Sequence, residues 1–147
     1  MSAPRKPKAA VADPCVCANL RMASRAVTQF YDETMRPAGL RVTQFSILAT
    51  ARRLGPVTLT RLGEATLTDR TTLTRNLAPL ARKGWVRIVP GSDRREREVH
   101  VTDEGRAALR AAYPYWQAAQ ARVAEHLGGA RLERLLADLQ QAIGAAR

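Results

Sequence analysis

The stretch from Leu59 to Thr102 constrains the chain most, because its hydrophobic spacing switches from helical to alternating within one short run. Thr60 to about Ala65 reads as a short helix and Thr66-Leu67-Thr68 as a turn. A second helix follows over about Asp69 to Lys83. At roughly 100° per residue, Leu73, Leu77 and Leu80 share one face of it while Thr71, Thr74, Arg75 and Arg82 share the other. Thr68 or Asp69 caps this helix, and a carboxylate at its positive end is favourable. Pro79 cannot donate to the carbonyl of Arg75, so the helix either bends there or distorts its last turn. Gly84 ends the helical spacing. Trp85 to Val89 then alternates, Pro90-Gly91-Ser92-Asp93 makes a turn flanked by Arg94, Arg95 and Arg97, and a second alternation runs through Val99 and Val101. Two helices followed by a charged hairpin describe a winged helix-turn-helix, with one face for packing and the other for a polar partner.

The charge balance narrows that partner. Lys and Arg number 24 against 13 acidic residues, for a formal net charge of +11, which favours nucleic acid or anionic lipid. The excess is concentrated in the motif. Between Leu59 and Arg97 stand nine basic residues (Arg61, Arg70, Arg75, Arg82, Lys83, Arg87, Arg94, Arg95, Arg97) and four acidic ones (Glu64, Asp69, Asp93, Glu96). No apolar run approaches the roughly 20 residues that cross a bilayer, and no apolar leader with a cleavage site is present, so a cytoplasmic protein without membrane association is expected.

The flanks read as helices. About 1–12 is expected to be a disordered basic arm carrying Arg5, Lys6 and Lys8, either an untethered terminus or a source of phosphate contacts. The remainder, 13–147, reads as one domain. Asp13 at the N-cap and Pro14 at the first helical position begin a helix over about 14–36, with Val16, Leu20, Ala23, Val27 and Phe30 at helical spacing. Thr43 is expected to cap the next helix, which opens a winged helix-turn-helix lobe at about 43–102, and Val57-Thr58 is expected to be an extended link. A long helix from Asp103 carries Leu109, Ala112, Trp116, Ala119 and Val123. After Gly128-Gly129 a final amphipathic helix carries Leu132, Leu135, Leu136, Leu139 and Ile143, so helices cover about 103–145. These apolar stripes either pack within the chain or bury against a second copy, and their extent favours a symmetric dimer.

The segments Asp69-Arg70-Thr71-Thr72-Leu73-Thr74-Arg75, Leu80-Ala81-Arg82-Lys83-Gly84-Trp85-Val86, Asp93-Arg94-Arg95 and Val101-Thr102-Asp103-Glu104-Gly105 resemble, in their order and spacing, the MarR family of bacterial transcription regulators. The resemblance implies a mainly α fold, a winged helix-turn-helix with a small β-hairpin wing and N- and C-terminal dimerisation helices. It also implies a homodimeric repressor, double-stranded DNA bearing a palindromic operator as partner, and an inducer cleft between the dimer-forming helices and the DNA-binding lobe. Arg70, Thr71, Thr72, Thr74 and Arg75 are the candidate reading set: threonine hydroxyls bond bases or phosphates, their methyls touch thymine, and arginine pairs in bidentate fashion with guanine. The resemblance places Arg95 in the adjacent minor groove and makes Asp93 the residue that holds the wing turn, with Arg94 toward phosphate.

Catalysis finds no support. There is no Gly-rich phosphate loop and no metal-ligand pair at helical spacing, the two histidines His100 and His126 are separated, and no cofactor is expected. The alternative from another class is an architectural nucleic-acid-binding protein that uses charge without reading sequence. Cys15-Val16-Cys17 is the remaining chemical signal: thiols in a first helical turn can be reactive, so a thiol or metalloid sensor is one reading and buried or incidental cysteines the other. Residues two apart on a helix point about 200° away from each other, which makes a disulfide within one helix awkward and pairing across subunits easier. Cys17 and Tyr31 match positions of the organic-peroxide-sensing branch of the family, whereas Arg21 and Val42 stand where that branch carries tyrosines.

Overall fold

The computed structural model describes residues 14–147, so the expected arm at 1–12 and the expected cap Asp13 lie outside the described residues. Helix α1 spans Val16–Met35 and passes through a 3₁₀ turn at Arg36–Ala38 into α2, Val42–Leu54. A two-residue strand β1 (Val57–Thr58) leads into α3 (Leu59–Thr66) and α4 (Arg70–Arg82). The hairpin β2 (Val86–Pro90) and β3 (Arg97–Val101) follows, and the chain ends in α5 (Asp103–Leu127) and α6 (Gly129–Ala145).

Several helix starts differ from the sequence reading, each for a local reason. Helix α1 begins at Val16 rather than Pro14, with Cys15 at the N-cap and its Sγ accepting from the Ala18 amide at 3.5 Å. Thr43 lies inside α2; the cap position is Arg41, whose amide donates to Gln44 Oε1, while Asp32 of α1 accepts the Val42 amide at 2.8 Å. A carboxylate brought by tertiary packing does the work expected of a local hydroxyl. Helix α3 starts one residue early, at Leu59, because Thr58 accepts the Arg61 amide. Helix α4 continues through Pro79.

Val57-Thr58 is more than a link. It pairs antiparallel with β3, Val57 opposite Val99 and Thr58 opposite Glu98, so the wing is a three-stranded sheet in the order β1-β3-β2. Val99, central in that sheet and fully buried, joins Met35, Leu48, Leu62, Leu73, Leu77 and Leu80 in the core. The three α4 leucines sit on the face their spacing assigned, and burying each contributes about 1.5–3 kcal/mol. They fix which face of α4 is left for solvent.

The outer helices pack only partly. Helix α1 lies against α5, where the buried Tyr31 phenol donates to Gln120 Oε1, and burial raises its pKa above the ordinary value. Yet Val16, Leu20 and Val27 on α1 are exposed to 67%, 39% and 47%, and α6 buries none of its residues. The stripe of α5 is therefore covered within one protomer at Leu109, Ala112 and Ala119, whereas much of those of α1 and α6 is not.

Candidate nucleic-acid interface

The turn between α3 and α4 is built so that α4 starts at a fixed angle. Leu67 takes a left-handed conformation (φ 50°), and the Thr68 amide donates to the Gly63 carbonyl at 2.9 Å. A Cβ at position 63 would fall 2.9 Å from the Thr68 carbonyl oxygen, so this approach requires glycine. Asp69 then caps α4 by accepting the Thr72 amide at 3.0 Å. Hydrogen bonds from the Thr72 hydroxyl and then from its amide hold the Asp69 carboxyl below its ordinary pKa. The cap is thus ionised at neutral pH.

That geometry sorts the five expected reading residues. Thr71, Thr74 and Arg75 are exposed along the side of α4 opposite its buried leucines, while Arg70, exposed at the first position of the helix, shares the phase of Leu73 and Leu77. Thr72 is half-buried and engaged with Asp69, and its carbonyl accepts from the Asn76 side chain at 2.9 Å. It belongs to the cap more than to the outward face. Three polar side chains, one of them a guanidinium group, therefore project together from a helix of groove-compatible width, with the exposed Arg70 guanidinium at its first turn.

The wing tip is held in the same explicit way. The Gly91 amide donates to the Glu96 carbonyl and the Glu96 amide to the Asp93 carbonyl, both at 2.9 Å, while Asp93 Oδ1 accepts the Arg95 amide at 3.0 Å. Asp93, Arg94 and Arg95 are all exposed. Arg97, in contrast, turns back across the hairpin to donate to the Ile88 carbonyl at 3.1 Å, so it braces the sheet. Thr102 joins the base of the wing to α5: its hydroxyl donates to the Gly84 carbonyl at 2.6 Å and accepts the Gly105 amide at 3.0 Å.

Cys15 and Cys17 are both free and exposed in the protomer, at the cap and second position of α1. Fourteen residues of straight helix separate Cys17 from Tyr31, about 21 Å, so the two cannot bond within one protomer.

One feature of the lobe has no local sequence signature. Phe45, Ala49 and Arg52 of α2 and Leu109, Arg110, Tyr113 and Trp116 of α5 line a cleft of about 520 Å³. Trp116 stacks between Phe45 and Tyr113, at centroid distances of 6.0 and 5.6 Å and interplanar angles of 20° and 19°. Arg52 and Arg110 are exposed at this aromatic wall. These residues lie far apart in the chain, and only the packing of α2 on α5 brings them together.

The fold and this surface define the class: a winged helix-turn-helix protein. The MarR family model matches residues 40–96. Over 90% of this chain and 98% of its own, the M. tuberculosis transcriptional regulator MosR, solved in complex with DNA, is 42% identical with a TM-score of 0.78. The chain belongs to the MarR family of transcriptional regulators, and neither the family nor these relatives are enzymes. Curated relatives include the HTH-type transcriptional regulator YwoH of Bacillus subtilis (strain 168), 31% identical over 85 residues, or 58% of this chain and 62% of its own. PecS of Dickeya dadantii (strain 3937), also an HTH-type transcriptional regulator, is 32% identical over 98 residues, 64% of this chain and 59% of its own. The chain thus spans about six tenths of the length of these two curated regulators. Among the described residues no helix is long and apolar enough to cross a membrane.

Proposed function

We propose that the protein is a homodimeric, sequence-specific DNA-binding repressor that leaves a palindromic operator when an effector binds. The observation that carries this reading is the outward set Thr71, Thr74 and Arg75 on a capped helix, with Arg70 exposed at its first turn, beside a wing tip whose Asp93 holds Arg95 in place. Arg75 is the base-edge donor, the threonines read base or phosphate, Arg95 enters the neighbouring minor groove and Arg94 meets phosphate. The DNA complex of the 42% identical MosR supports the same partner here.

The dimer follows from what one protomer leaves uncovered. Val16, Leu20 and Met22 of α1 and Leu135, Leu136 and Ile143 of α6 are exposed, on two helices placed outside the lobe. Burying each such side chain is favourable by about 1.5–3 kcal/mol, and a two-fold partner offers the identical stripes in return. Release has two chemical routes. The aromatic cleft with Arg52 and Arg110 suits a planar anionic molecule, which would bind across the junction of the α2 lobe and α5. The exposed thiols at the positive end of α1 suit a thiol-reactive agent or a thiophilic ion. Either event acts where a small rotation changes the spacing of the two α4 helices.

Competition at physiological salt tests the reading against an architectural role. Specific binding exceeds nonspecific binding by about 10³ to 10⁷-fold in sequence-reading proteins. Unrelated duplex that displaces the operator at equal concentration would overturn the proposal.

A further inference from the structure

A second opening, of about 840 Å³, lies between α1, the 3₁₀ turn, the start of α2 and the end of α4. Arg25 of α1, Arg36 of the 3₁₀ turn, Arg41 at the start of α2 and Lys83 at the end of α4 all line it. None of them is in an ion pair among the described residues. The two pairs among the described residues, His100 with Glu98 and Arg106 with Asp103, lie elsewhere. The two carboxylates of the cleft are held by neutral donors and not by these cations: Asp32 accepts the Val42 amide at 2.8 Å, and Glu33 accepts from Gln29 at 3.2 Å. Four cations from four elements thus line one opening with only two carboxylates among them, an excess of two positive charges with no ion pair formed among the described residues.

We propose that this cleft binds a small polyanion, a molecule with two or more phosphate or carboxylate groups. Guanidinium groups pair with such oxyanions in bidentate fashion, and several cations around one opening favour a ligand with more than one negative charge over a simple halide. Lys83 ties the site to the DNA-binding lobe. Its Nζ donates to the Gly39 carbonyl at 2.8 Å and lies 4.4 Å from the Trp85 ring centroid, so it joins the end of the reading helix to the α1–α2 connection and to the base of the wing. A ligand that draws Lys83 into the cleft acts directly on that junction. The site is separate from the aromatic cleft and from the outward face of α4.

The test is calorimetric titration of the full chain, separately with pyrophosphate and with citrate, at constant pH and ionic strength. Saturable binding of at least one probe, one per protomer, is expected, and which of them binds assigns phosphate or carboxylate chemistry. The double variant Arg36→Gln/Arg41→Gln should weaken it tenfold or more, and Arg25→Gln, on the α1 wall, should weaken it independently. Arg75→Ala/Arg95→Ala should leave it unchanged. No saturable binding of either probe, retention in both cleft variants, or loss in Arg75→Ala/Arg95→Ala would overturn the proposal. So would a parallel loss of affinity for unrelated duplex in Arg36→Gln/Arg41→Gln, which would make the cleft a stretch of DNA-backbone contact. Operator affinity measured on the same variants reports on the repressor reading separately.

Discussion

Replacing Gly105 by alanine should loosen the joint between the wing and α5. An added Cβ would lie 2.1 Å from the Trp85 carbonyl oxygen and 3.0 Å from both the Trp85 carbonyl carbon and Val101 Cγ1. Relief requires the start of α5 to back away from the Trp85 carbonyl by about 1.4 Å, since non-bonded heavy atoms settle near 3.5 Å. The same carbonyl oxygen accepts the Thr102 amide at 3.0 Å, and the Thr102 hydroxyl donates to Gly84 at 2.6 Å. A retreat of that size weakens both. Two hydrogen bonds at about 0.5–1.5 kcal/mol each, with an overpacking cost of about 1–3 kcal/mol, give a loss of about 2–6 kcal/mol. With a urea slope of about 2 kcal/mol per molar, the unfolding midpoint should fall by about 1–3 M. The comparison is made by urea denaturation at one fixed protomer concentration, because association shifts apparent stability. A midpoint within about 0.3 M of the parent would refute the reasoning and show that α5 tolerates displacement from the wing.

Arg75→Ala should cost about 1–3 kcal/mol of operator binding and relax base preference at one position in each half-site, whereas Arg94→Ala should weaken all sequences evenly; a base-substitution series read by anisotropy distinguishes the two. Leu135→Glu/Leu136→Glu places two charges on the uncovered face of α6 and should yield monomers by sedimentation at micromolar concentration, with protomer helicity kept. For the thiols, Cys15→Ser and Cys17→Ser are compared with the parent for operator release by peroxide and by arsenite, and at least one variant should resist release. Equal behaviour of all three proteins, with thiols unreactive in the native state, leaves a non-covalent effector as the inducer.

The winged helix-turn-helix was legible because its determinants are local. Leucines at 73, 77 and 80 and polar residues in the opposite phase assign the faces of α4, and Asp69 is a strong N-cap residue placed directly before them. What escaped depends on contacts across the chain or on unusual chemistry. Asp32 caps α2 from ten residues away, and β1 is two residues long, too short for a period to show. Cys15 serves as an N-cap although sulfur is outside the usual capping set, which moved the start of α1. Sequence separated Arg95 from Arg94 by resemblance but left Arg97 without a role; the hairpin brings its guanidinium back to the Ile88 carbonyl while Arg94 and Arg95 stay at the tip. The aromatic cleft unites residues from Phe45 to Trp116, and the cationic cleft unites residues from Arg25 to Lys83. Neither leaves a spacing pattern to read. The apolar stripes of α1 and α6 were visible at once, but that they stay uncovered within a protomer required the fold.

Selection of bound sequences from a random duplex pool, followed by footprinting of the enriched site, tests the central claim most directly. Two α4 helices related by a two-fold axis should enrich an inverted repeat with half-site centres about 10 bp apart, roughly 34–36 Å, and protect both halves together. Enrichment of no motif, or of a single half-site bound tightly by a monomer, would contradict the account.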